Sequence, residues 1–122
     1  MRQTAVGSIE AFQTEPLILT EGALVERLRR DPTVALDPDV LHAGFIYDER
    51  GREALRRLYR HYLDIGARFD LPMIVGTPTW RANPIRLQRA GLTYKDANGD
   101  GVRFVASIRD EYGAYAKRVG AR

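Results

Sequence analysis

The residues best placed to do chemistry lie in Pro72–Gly91, PMIVGTPTWRANPIRLQRAG. Met73–Gly76 is an apolar run suited to a buried strand, and Thr77-Pro-Thr-Trp80 is the end of that strand. Asn83-Pro84 then signals a helix through Ile85, Leu87 and Ala90. A strand running at once into a helix is the βα unit of a parallel α/β protein, where ligands bind at the C-terminal ends of the strands. Thr77, Thr79 and Trp80 therefore stand where a substrate is expected. Other candidates carry less. His42 and His61 have no Cys or His partner at metal-ligand spacing. His61 falls on a polar helix face, and His42 lies beside a strand-end loop. Asp96–Gly101 fits the first half of a calcium loop, but its twelfth position is Ser107 and not a bidentate Glu, so a solvated turn and helix start is the better reading. The chain has no cysteine, which excludes disulfides, a thiolate nucleophile and Cys-ligated zinc within it.

These residues need elements to position them. Pro16–Thr20 is a short apolar run suited to a buried parallel strand, and Thr20-Glu-Gly22 is a turn. A helix is expected over Ala23–Arg30, stopped by Asp31-Pro32. The strongest pattern is a helix from about Arg52 to Gly66, where Leu55, Leu58, Tyr59, Tyr62 and Leu63 make one stripe. A last helix runs from about Val102 to Arg118, with Val102, Val105, Ile108, Tyr112, Tyr115 and Val119 on its buried face. Residues 1–13 read as a leader and 14–122 as the domain. Two strands, Leu17–Thr20 and Met73–Gly76, are too little sheet to bury both stripes, so exposed apolar surface is expected.

Composition narrows the function classes. The chain has 122 residues, 44% hydrophobic and 29% charged, which bounds it to one globular domain or part of one. No apolar run approaches a membrane span and no signal peptide is visible, so a cytoplasmic location is expected. The net charge is +3, but the basic residues are spread over every predicted helix and offset by 16 acidic ones. That is not a nucleic-acid surface.

Three stretches together give a family resemblance. Leu17-Ile-Leu-Thr-Glu-Gly-Ala23 is similar to the first strand and Asp-Gly-Ala turn of the homocysteine S-methyltransferase family. Leu58-Tyr-Arg-His-Tyr-Leu-Asp-Ile-Gly-Ala67 resembles the helix before that family's second strand. Thr77-Pro-Thr-Trp-Arg-Ala-Asn-Pro-Ile-Arg-Leu87 resembles its Thr-Asn-Thr-Phe-x-Ala pattern, with Pro78 in place of Asn. The tail from Asn98 to Val119 is similar to the helix before strand three.

The resemblance implies an α/β fold, a partial (β/α)8 TIM barrel holding about the first two βα units. It implies Glu21 in the place of the Asp that meets the homocysteine ammonium, with Gly22, Thr77, Thr79 and Trp80 beside it. Leu24-Val25-Glu26 departs from the family's Met-Gly-Thr-Glu continuation. The family's zinc is held by three Cys from later strands, none of them here. The expectation is therefore a truncated methyltransferase-like domain, inactive alone. Its full-length parent would move a methyl group onto a small thiol such as homocysteine. The alternative is a non-catalytic binding or assembly module that completes its sheet, by its exposed edges, with another chain.

Overall fold

The computed structural model describes residues 13–121; the leader falls outside them except for Gln13. Three parallel strands lie in the order β1 (Leu19–Thr20), β2 (Met73–Val75), β3 (Val119–Ala121). Leu19 pairs with Met73, and Met73 with Val119. The third strand departs from the two strands read from the apolar runs, but it lies where the family resemblance puts the start of strand three. It starts at Val119, where the last helix was expected to end.

Helix α1 (Leu24–Arg29) follows β1. A 3-10 segment, Ala43–Tyr47, leads to α2 (Glu49–Phe69), longer at both ends than its apolar stripe. The Asp48 carboxylate accepts from the Gly51 amide at 2.9 Å and so caps α2 seven residues before the stripe begins at Leu55. Gly51 is needed for contact: a Cβ there would come within 2.7 Å of the Phe45 backbone. At the other end Asp70 adopts a left-handed φ of 50° and closes the helix.

Between β2 and β3 run α3 (Pro84–Arg89), capped by Asn83, and α4 (Ala97–Arg109), capped by Asp96. The expected single last helix is two pieces. α4 starts five residues early and gives way to a 3-10 segment, Asp110–Arg118, interrupted by Gly113 at φ 57°. Val102 falls on the exposed side, and Ala97 and Gly101 of the added first turns take buried places.

The core joins both crossovers. Leu55, Leu58, Tyr59 and Leu63 of α2 pack with Val105 and Ile108 of α4, and with Met73, Val75 and Val119 of the sheet. The aliphatic residues of both stripes are thus buried except Val102, more than two strands alone would allow, while Ile65, Phe69, Ile85 and Tyr94 elsewhere remain exposed. The third strand and the mutual packing of α2, α4 and the 43–47 segment supply the missing surface. Tyr62 and Tyr112 at the margins stay half-buried, with hydroxyls bonded to the Gly22 carbonyl and the Asp64 carboxylate. Among the described residues no helix is long and apolar enough to cross a membrane.

Candidate functional site at the strand ends

The C-terminal end of β1 leads directly into Glu21, and that of β2 into Gly76 and Thr77. The Gly76 peptide ties the two together. Its N–H donates to Glu21 Oε1 at 2.6 Å, and its carbonyl accepts from the Tyr59 hydroxyl at 2.7 Å. Burial, and then the Glu21 charge, raise the Tyr59 hydroxyl well above its ordinary value. It remains a donor at any physiological pH, which fixes the peptide plane. Glu21 is thus not a free carboxylate at a pocket mouth; it clamps two strand ends. A carboxylate offers about four acceptor sites, so one amide leaves capacity for a ligand cation.

Glu21, Ala23, Leu24, Val25, Glu26, His42, Thr77 and Trp80 line a cleft of about 310 Å3. That volume is at the small end of ligand sites, suited to an amino acid. A wider groove of about 990 Å3 lies between Pro32–Ala35 and the first turns of α2. No strand end contributes to it, so the strand-end rule favours the smaller cleft.

The structure divides the residues singled out from the sequence. Glu21, Thr77 and Trp80 meet in the cleft. Trp80 is 69% exposed, with the Arg81 guanidinium 5.1 Å from its ring centre. Thr79 and Gly22 are not among the lining residues. The Thr79 hydroxyl is 2.6 Å from that of Thr77, and its methyl lies where a Cβ on Gly101 of α4 would fall, at 2.9 Å. Gly22 is exposed and turns its carbonyl to Tyr62.

His42 belongs to the cleft, although its claim from sequence alone was weak. It is 3% exposed, and its Nδ1 is buried without a hydrogen-bond partner among the described residues. Burial lowers its pKa to about 4, so the ring is neutral at pH 7. Its backbone is firmly held. Asp37 and Leu41 exchange two backbone hydrogen bonds of 2.9 Å, and Asp37 Oδ1 accepts from the Asp39 and Val40 amides. The Arg86 guanidinium bonds the Asp39 carbonyl at 2.9 Å, and the His42 carbonyl accepts from the Phe45 amide. The signal that could have found His42 was the pair of aspartates around Pro38, which build this loop.

Two cleft residues adjoin strained backbone. Ala23 has φ 55° and Leu41 φ 57°, left-handed values that L-residues avoid. The chain's own donors do not fit a zinc–thiolate centre. It has no cysteine, and the described residues contain no group of three His, Asp or Glu able to hold a metal.

The sequence signature described as Homocysteine S-methyltransferase matches residues 18–121. Curated proteins and solved structures return no match.

Proposed function

The chain belongs to the homocysteine S-methyltransferase family, and on that premise we propose that it forms the opening part of a (β/α)8 barrel whose strand-end cleft binds the amino-acid head of a homocysteine-like thiol. The observation that carries this reading is the Glu21 carboxylate at the end of β1, in one cleft with Thr77 and Trp80. The order β1-β2-β3, all parallel and each beside its predecessor in sequence, agrees with a barrel's opening strands.

In this reading Glu21 accepts from the substrate ammonium while its Oε1 stays on the Gly76 amide. Thr77 offers a hydroxyl, and the Trp80 face covers the aliphatic stem. Gly22 and Thr79 act indirectly, through the turn and through the Thr77 hydroxyl. In the family, zinc makes the substrate sulfur a thiolate and so a better nucleophile. The donors present here do not supply that centre, so the 122-residue chain binds the substrate and does not methylate it. Methyl transfer onto the thiol belongs to the full-length parent.

Calorimetric titration with L-homocysteine tests the assignment. Glu21→Gln should weaken binding by about 1–3 kcal/mol, the range for losing a charged hydrogen bond. Equal affinities for the two proteins would remove Glu21 from the site. A second reading is favoured by the outer edges of β1 and β3, which pair with no strand among the described residues. The chain would then complete its sheet with another chain. A discrete dimer in solution, by sedimentation, supports that assembly; a monomer rules it out.

A further inference from the structure

We propose that His42 is the carboxylate-recognising residue of the strand-end cleft, so that the cleft takes a zwitterionic α-amino acid and discriminates against the corresponding simple amine. The inference rests on the amino-acid-binding reading above and adds to it the group that reads the second charge of the ligand head.

The argument starts from an unmet requirement. Buried polar atoms in folded proteins are nearly always hydrogen-bonded, and an exception calls for a cause. Nδ1 of His42 is such an exception among the described residues, in a side chain only 3% exposed. The cause is not looseness, because the 37–45 segment is tied by backbone bonds, by Asp37 and by Arg86. The cleft beside the ring is where a partner can come from. His42 itself lines that cleft, so a bound ligand can supply the missing partner.

Charge then selects the partner. Two carboxylates, Glu21 and Glu26, line the cleft, and among the described residues no Lys or Arg does. They suit an ammonium and repel a carboxylate, so an α-amino acid enters only if a donor faces its second charge. The side-chain donors in the lining are Thr77, Trp80 and His42. Trp80 lies largely in solvent, and the Thr77 hydroxyl is shared with that of Thr79, 2.6 Å away. His42 has its hydrogen-bonding capacity unspent. Its neutral ring keeps one N–H donor, and enclosure strengthens a hydrogen bond to a carboxylate.

The test compares L-homocysteine with 3-aminopropane-1-thiol, which lacks only the carboxylate. Trp80 is the chain's single tryptophan, so its fluorescence reports binding of either probe. The intact chain should bind homocysteine about tenfold or more tightly than the amine, and His42→Phe should collapse that ratio toward one. In parallel, nitrogen–proton correlation spectra of the unaltered protein follow its two imidazoles. His42 should shift with homocysteine along the Trp80 titration curve and stay fixed with the amine. His61, exposed and 3.0 Å from an Arg27 nitrogen, should respond to neither. Homocysteine binding that leaves His42 signals unmoved, or a ratio unchanged in a folded His42→Phe protein, overturns the inference and leaves the amino-acid reading standing. Failure of the intact chain to bind either probe overturns both.

Discussion

At the N-terminal end of the strands, loose backbone groups are taken up by side chains. The Tyr115 hydroxyl donates to the Leu71 carbonyl at 2.6 Å, the Leu71 amide to Gly66, and the Arg118 guanidinium to the Asp70 carbonyl at 2.9 Å. Gly66 is bare because a Cβ would collide with that same Tyr115 hydroxyl. The C-terminal end has an unpartnered buried imidazole, an alanine and a leucine in left-handed backbone, and a tryptophan mostly in water. The first end has its own left-handed residue, Asp70, and an Arg118 Nε without a hydrogen bond, but that nitrogen lies 3.1 Å from the Asp70 carboxylate. The second end keeps an imidazole with no charged neighbour of this kind among the described residues, and two apolar residues in left-handed backbone. Such features collect at sites that act on ligands. Substitutions at the first end and in the core should therefore change stability, and those at the second should change binding or pH response.

The largest effect is expected in the core that both ends share. Leu63 is fully buried between α2 and the sheet. Leu63→Ala should cost about 2–5 kcal/mol, for lost transfer energy plus a cavity. Urea unfolding measures it. A loss under about 1 kcal/mol would mean that α2 is not docked as described.

Next comes the acid response of His42. Its pKa of about 4 in the fold lies below the unfolded value of 6.5. Between those values the unfolded chain holds the extra proton, so stability falls as pH falls from 6.5 to 4 and is level above 6.5. The fall should reach about 3 kcal/mol. His42→Phe should flatten that window while leaving the separate decline from carboxylates such as Asp31 and Asp100, whose pKa values are lowered mainly by the Thr33 and Tyr47 hydrogen bonds. Parallel curves for the two proteins would show that the ring is not buried and neutral in solution.

Glu21 separates binding from structure. Glu21→Ala strips the Gly76 amide of its acceptor and should cost about 1 kcal/mol of stability, the low end for an unpaired group that is only half-buried. Glu21→Gln keeps an oxygen for that amide and should stay within about 0.5 kcal/mol of the parent in thermal unfolding. If Gln destabilises as much as Ala, the carboxylate charge itself holds the strand ends, and a change in homocysteine affinity could not be assigned to ligand contact alone.

Periodicity made α2 and β2 legible. An i, i+3, i+4 stripe and a bounded apolar run each depend on local sequence, and the stripe residues Leu55, Leu58, Tyr59 and Leu63 are the buried ones. It did not reveal β3, because Val119–Ala121 is three residues long, and one of them is glycine. Its strand character comes from pairing with Met73–Val75, contacts over forty residues away in sequence. The site split the same way. Thr77 and Trp80 were legible as a strand end, since a βα unit fixes where they fall, while Glu21 was singled out by the family resemblance. His42 was not, because its burial depends on a loop folded by Asp37 and clasped by Arg86 from another element. The clamp from Glu21 to Gly76 joins residues 55 apart and carries no local signal.

The smallest prediction probes the strain that marks the cleft end. Ala23 precedes α1 with φ 55° and makes no side-chain cap bond. Left-handed backbone costs an L-residue roughly 1–2 kcal/mol, and glycine nothing comparable. Glycine's extra freedom in the unfolded chain offsets roughly 0.5–1 kcal/mol of that relief. Ala23 is exposed, so losing its methyl removes little packing. Ala23→Gly should therefore raise stability by about 0.5 kcal/mol, read as a higher urea midpoint at unchanged slope. Leu41 provides the contrast: its backbone is equally left-handed, but its side chain is 8% exposed. Leu41→Gly should lose more packing than it gains in relief, by about 1 kcal/mol or more. If Ala23→Gly destabilises as Leu41→Gly does, residue 23 is not held left-handed in solution. The Glu21 turn would then lack the left-handed apolar residue that sets the cleft end apart from the other.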